Sequence, residues 1–216
     1  MATPVELKMA ISSATGLSAV TIEDIDRKLV KAELRTKGGR GPNAARMTPL
    51  DAARLLTAVL ASPQANTSAE AVERYSRTRP DKSRSSDELF AAAKLDDLSA
   101  LPARHGFVEG LAALIASAST GSLTALIADA DEPPHIEVFA FTRATRGRIR
   151  ISSLPNGLTA SIEYAPAPAE TKPARGRKSI SPLGGPGDLE QSRRITERTI
   201  LRIAKLLAEE KTHERS

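Results

Sequence analysis

The stretch ISSATGLSAVTIEDIDRKLVKAELRTKGGR, residues 11–40, decides how the first third of the chain folds. Gly16, Leu17 and Ser18 lie between two segments of helical spacing. Glycine accepts the positive φ that a tight interhelical turn needs. Leu17 is placed to plug the gap between the helices, and Ser12 is a small residue in the first of them. Ile22, Ile25, Leu29 and Ala32 then recur as one apolar stripe, so the second helix is expected from about Ala19 to about Leu34.

Upstream, Leu7, Ala10, Ile11 and Ala14 keep helical spacing from Val5 to Ala14, and Pro4 suits a first turn. Downstream, Thr48-Pro49-Leu50-Asp51 is a helix start, with Thr48 as cap and Asp51 at the capping-box position. That helix runs through Leu55, Leu56, Val59 and Leu60 and ends near Ser62-Pro63. Its apolar stripe is expected to close a trihelical core over the first two helices.

The segment Ile11–Arg40 resembles the helix-turn-helix family of DNA-binding domains, whose winged branch is one form. The resemblance implies a second helix that enters the major groove of double-stranded DNA. Ser18, Thr21 and Glu23 would face the bases, and Lys28, Lys31, Arg35, Lys37, Arg40 and Arg46 would contact phosphates. The loop from Thr36 to Arg46, rich in glycine and basic residues, occupies the place of a wing, or is a plain connector. Against this, Glu23, Asp24 and Asp26 sit in the helix's first turns, where phosphate repels them. A three-helix core or protein-docking domain sharing the same turn is the competing reading. Phage DNA-packaging small subunits resemble the chain in a second way, with an N-terminal helix-turn-helix and an oligomerising C-terminus.

The whole chain is moderately basic, at +5 over 216 residues with a pI near 9.7, which permits a nucleic-acid partner without requiring one. Charge is uneven: +5 over residues 1–84, −6 over 85–134 and +6 over 135–216. Two Tyr, four Phe and no Trp argue against a stacking platform for single strands. The absence of cysteine excludes disulfides, thiol catalysis and cysteine-based metal sites. His105, His135 and His213 are far apart, and no phosphate-binding loop, dinucleotide fingerprint or nucleophile elbow occurs. No cofactor, no metal and no enzymatic activity are expected. No secretory signal is read at the N-terminus, so cytoplasm is the expected location.

Residues 64–86 are polar, with a short helix carrying Val72 and Tyr75 and then a basic, linker-like run from Arg77 to Arg84. Leu89, Phe90, Ala93 and Leu98 mark a helix before Pro102. Phe107 to Ala128 is long enough for a membrane span, but Glu109, five hydroxyl residues and two glycines favour two buried helices broken near Gly121. After Pro133-Pro134 the period becomes two. His135–Arg143, Arg148–Ile151 and Thr159–Tyr164 read as a three-stranded antiparallel meander. Residues 166–187, rich in Pro and Gly around a KPARGRK core, read as a disordered basic linker. From Asp188 an amphipathic helix is expected to carry Ile195, Thr199, Ile203 and Leu206 on one face.

The expectation is an α+β protein. It has a helix-turn-helix domain with a basic linker over 1–84, and an oligomerisation or sensing domain over 85–165. A linker over 166–187 and a terminal helix over 188–216 follow. A DNA-binding regulator that forms a homo-oligomer and does not enter a membrane is the leading function. An adaptor that assembles through its C-terminal half without touching DNA is the other.

Overall fold

The computed structural model describes residues 2–37, 45–128, 133–142, 144–154, 157–167 and 191–208. The fold is α+β. Helix α1 spans Pro4–Thr15 and is started by a capping box: the Thr3 hydroxyl accepts from the Glu6 amide while the Glu6 carboxylate accepts from the Thr3 amide. It ends at Gly16, whose φ of 75° lets its amide donate back to the Ser12 carbonyl. Three residues later α2 begins, spanning Ala19–Lys31. The Ser12 hydroxyl donates to the Leu17 carbonyl, pinning the turn, and Leu17 packs partly buried against the core. Ile22, Ile25 and Leu29 are buried, as their spacing predicts.

Helix α3, Pro49–Ala61, is the centre of the molecule. Thr48 and Asp51 form its expected capping box. Ala52, Ala53, Leu55, Leu56, Ala58, Val59, Leu60 and Ala61 are all buried, so the helix is apolar around most of its circumference and is covered there, with Arg54 half-buried on the remaining side. Burial of each leucine contributes about 1.5–3 kcal/mol. On one side α3 meets α2 and α4 (Ser68–Ser76); on another it meets α7 (Phe107–Thr120). The hydrophobic core is therefore continuous from α1 into the C-terminal half, across the boundary placed near residue 84.

Two short helices, α5 (Glu88–Ala92) and α6 (Asp96–Ser99), lead into α7. Helix α8, Ser122–Ala128, follows at a bend of 68°, with the break at Gly121 as the sequence suggested. Among the described residues no single helix is long and apolar enough to cross a membrane.

Among the described residues the sheet has five antiparallel strands in the order β1-β4-β3-β2-β5. The expected meander is present as β2 (His135–Phe141), β3 (Gly147–Leu154) and β4 (Leu158–Pro166). Ile195, Val138, Ile149 and Ile162 form one buried row across four strands. This face packs on α7. Gly110 of α7 is what permits the close approach: a Cβ there would lie 2.9 Å from Tyr164 Cζ and 3.2 Å from Ile149 Cδ1.

Both edge strands depart from expectation. The run read as a linker over 77–84 supplies β1, Thr78–Pro80, paired with β4. Pro80 is tolerated because an edge strand leaves one side of its backbone unpaired. The start expected for the C-terminal helix, Asp188, lies outside the described residues, but the helix does not yet occupy Ser192–Thr196. Ser192–Thr196 is instead β5, paired with β2, and α9 spans Glu197–Ala208. Pairing of Ile195 opposite Val138 outweighs the helical spacing that Ile195 shares with the residues after it. Arg193 is exposed but reaches the end of α3, its Nη1 donating to the Val59 and Ser62 carbonyls at 2.7 and 2.8 Å and so satisfying the last turn. The apolar face of helix α9 is docked on its own chain: Ile200, Ile203 and Ala204 are buried, and the helix packs on α1 and α7.

Candidate nucleic-acid interface

The α1–α2 turn leaves the opposite side of α2 open. The helical period places Val20, Asp24, Arg27 and Lys31 opposite the buried row Ile22, Ile25 and Leu29, with Lys28 and Thr21 on one flank and Glu23 on the other. Val20 is 79% exposed. Val20 stands outside the apolar stripe of Ile22, Ile25 and Leu29, and that spacing is the sequence signal that marks it as outward.

Of the residues expected to face bases, Ser18 and Thr21 form the cap of α2. The Ser18 hydroxyl accepts from the Thr21 amide at 3.1 Å and lies 2.8 Å from the Thr21 hydroxyl. Both are exposed, and capping fixes their positions. Glu23 is exposed but ion-paired to Lys8 of α1.

The expected phosphate contacts divide sharply. Lys28 is half-buried and Lys31 exposed, and neither makes an ion pair or hydrogen bond among the described residues. Lys37 is exposed and sits 3.1 Å from Glu33. Arg46 is exposed. Arg40 lies outside the described residues. Arg35 is not placed to contact phosphate: it is 6% exposed, and its guanidinium holds Asp26. Nη2 donates to Asp26 Oδ2 at 2.8 Å, Nε faces Oδ1, and Nη1 donates to the Thr36 carbonyl at 2.9 Å. Asp26 is on the core side of α2, one position from Ile25, which explains why the pair is buried.

Each acidic side chain in the first half of α2 is therefore engaged within the chain. Lys8 holds Glu23, Arg27 holds Asp24 at 2.6 Å, and Arg35 holds Asp26, with Lys8 Nζ a further 3.8 Å from Asp26. Burial pushes the Asp26 carboxyl above its usual range, although Arg35 and Lys8 pull the other way. The repulsion expected between these acids and phosphate is correspondingly reduced by cations one contact away. Lys28 and Lys31 stand among the described residues as the cations of α2 without such an engagement.

The segment after α2 is tethered rather than loose at both ends. Asp51 accepts from the Thr36 amide and hydroxyl as well as from Thr48, and the Met47 amide donates to the Ala2 carbonyl. Burial raises the Asp51 carboxyl, but the four hydrogen bonds outweigh it and hold the group below its usual range.

No group of three or more acidic or histidine side chains among the described residues is arranged to hold a metal. His105 is buried instead in a structural chain, its ring bridging the Pro102 carbonyl at 2.7 Å and the Tyr164 hydroxyl at 2.9 Å. No family model matches the chain, nor does any curated protein or solved structure.

Proposed function

We propose that the chain binds double-stranded DNA through the outward face of α2, carries out no catalysis, and acts as a transcription regulator that works as a homo-oligomer. The observation that carries the reading is the charge arrangement on that helix. Glu23, Asp24 and Asp26 are each engaged by a cation of the same chain, which leaves Lys31 exposed on the outward face and Lys28 half-buried at its flank as the helix's unengaged cations among the described residues. Val20, at the exposed start of α2, offers an apolar contact of the kind a thymine methyl accepts. Thr21 offers a hydroxyl beside it.

The test is a fluorescence-anisotropy titration of the full chain with random duplex DNA across a salt series, beside a Lys28→Ala/Lys31→Ala variant. Phosphate binding predicts a linear log–log salt plot whose slope falls by about two units in the variant. Absence of binding at low salt, or an unchanged slope, overturns the reading. In that case Val5 and Met9 become the surface to examine, because they are 58% and 64% exposed one turn apart on α1. That pair favours the alternative of an adaptor that docks on protein.

A further inference from the structure

A cavity of about 500 Å³ opens where the α1–α2 turn, the end of α3 and the β5–α9 corner meet. Its wall is of two kinds. Leu17, Val59 and Leu60 supply an apolar side, and Arg193 and Arg198 are the cations whose side chains are free of the sheet's outer face; among the described residues no carboxylate lines it. We propose that this cavity binds a small organic anion, a carboxylate or phosphate ester carried on an apolar body.

The arginines are not equivalent. Arg193 is fixed from behind by the two α3 carbonyls. Arg194 lines the cavity as a residue of β5, but its guanidinium is on the opposite face of the sheet, where Nη1 donates to Glu137 at 2.7 Å and it lies over the Phe139 ring at 5.9 Å. Arg198 is exposed and makes no ion pair or hydrogen bond among the described residues. One guanidinium group is therefore held in place before any ligand arrives, and a second, that of Arg198, is available to close on it. Preorganisation of this kind reduces the ordering cost of binding. The planar fork of arginine matches carboxylate and phosphate oxygens in pairs. The charges of Arg193 and Arg198, which meet no carboxylate among the described residues, together with a partly apolar lining favour an anion with a hydrocarbon part over a bare inorganic ion. The volume falls within the range of about 300–1,000 Å³ typical of small-molecule sites. None of this depends on DNA binding, and the test below contains no DNA.

The full chain is titrated by calorimetry with phenyl phosphate and, separately, with benzoate, using benzyl alcohol as the uncharged counterpart. Arg198→Ala removes the free clamp, Arg198→Lys keeps the charge without the fork, and Arg202→Ala removes an exposed charge of α9 that does not line the cavity. Saturable binding of either anion supports the site, and whichever binds tighter names the anion class. Binding is expected to weaken about tenfold or more in Arg198→Ala, to return in part in Arg198→Lys, and to change less than about twofold in Arg202→Ala. The proposal is overturned if neither anion binds, if benzyl alcohol binds as tightly as the anions, or if Arg202→Ala weakens binding as much as Arg198→Ala.

Discussion

Replacement of Arg35 by alanine tests whether this side chain belongs to the core or to a DNA-facing surface. Its guanidinium makes two contacts to the buried Asp26 carboxylate and one to the Thr36 carbonyl, and both partners of the ion pair are about 5% exposed as side chains. Removing one member of a buried pair costs about 3–5 kcal/mol, because the other charge stays behind without compensation. Two features here favour the lower end. Lys8 Nζ remains 3.8 Å from Asp26, and burial has already raised the Asp26 carboxyl, so it takes up a proton more readily than an ordinary aspartate. The expected loss is about 3 kcal/mol, a large share of the roughly 5–15 kcal/mol that holds a domain folded. For a chain of this size that corresponds to a melting point lower by about 6–12 °C.

The pH dependence has a definite sign. A carboxyl raised in the folded state favours folding when protonated, and that contribution is lost as pH rises through its folded value. Without Arg35 the rise is larger, so the deficit of Arg35→Ala should shrink as pH falls from 7 towards 5. Urea unfolding at several pH values measures it. An Asp26→Leu/Arg35→Met double variant should recover most of the loss, since an apolar pair of similar volume needs no mutual neutralisation. A loss under about 1 kcal/mol, together with a DNA-binding salt slope reduced by about one unit, would refute the burial argument and return Arg35 to the phosphate backbone.

Other perturbations check other parts of the structure. Gly110→Ala should destabilise by about 1–3 kcal/mol through overpacking against Tyr164, despite a helix-propensity gain of about 1 kcal/mol; a raised melting point would contradict the close α7–sheet approach. In Gly110→Ala/Tyr164→Phe the loss should be smaller than the sum of the single losses, since the hydroxyl that the new methyl meets is gone. Asp51→Asn should cost about 1–2 kcal/mol at pH 7 by weakening the cap of α3 and the tie to Thr36. Because the Asp51 carboxyl is held low in the fold, its contribution is present above about pH 4 and is lost as pH falls through the folded value. The difference between wild type and variant in chemical unfolding should therefore narrow below about pH 4.

The helices of the first third were legible because each start and stop is written locally. Pro4, Gly16, Ser18 and the Thr48–Asp51 box all sit where caps occur. The three central strands were legible from strict alternation, since one face of each is buried. The edge strands were not. Thr78–Pro80 is too short to show a period, and Ser192–Thr196 carries one apolar residue whose partner lies 57 positions away. The same limit hid the fate of the charges. Composition marks Arg35 and Lys31 alike as basic, but only the packing of Asp26 on the inner side of α2 separates a core ion pair from an outward cation. The cavity at the β5–α9 corner was invisible for a related reason: it joins Leu17, Leu60 and Arg198, and a helix-long spacing rule has no means of bringing them together.

Strand β5 also acts as a lid on the sheet's own stickiness. Beneath it lies β2, HIEVFAF, a run of β-branched and aromatic residues whose hydrogen-bonding edge would be bare if β5 were absent. Such an edge invites pairing with another chain's strand. With β5 in place, the outermost strand on that side is short and carries Arg193 and Arg194, side chains that make further strand addition unfavourable. A chain cut before Ser192 should therefore lose more than one strand: it should tend to associate strand to strand.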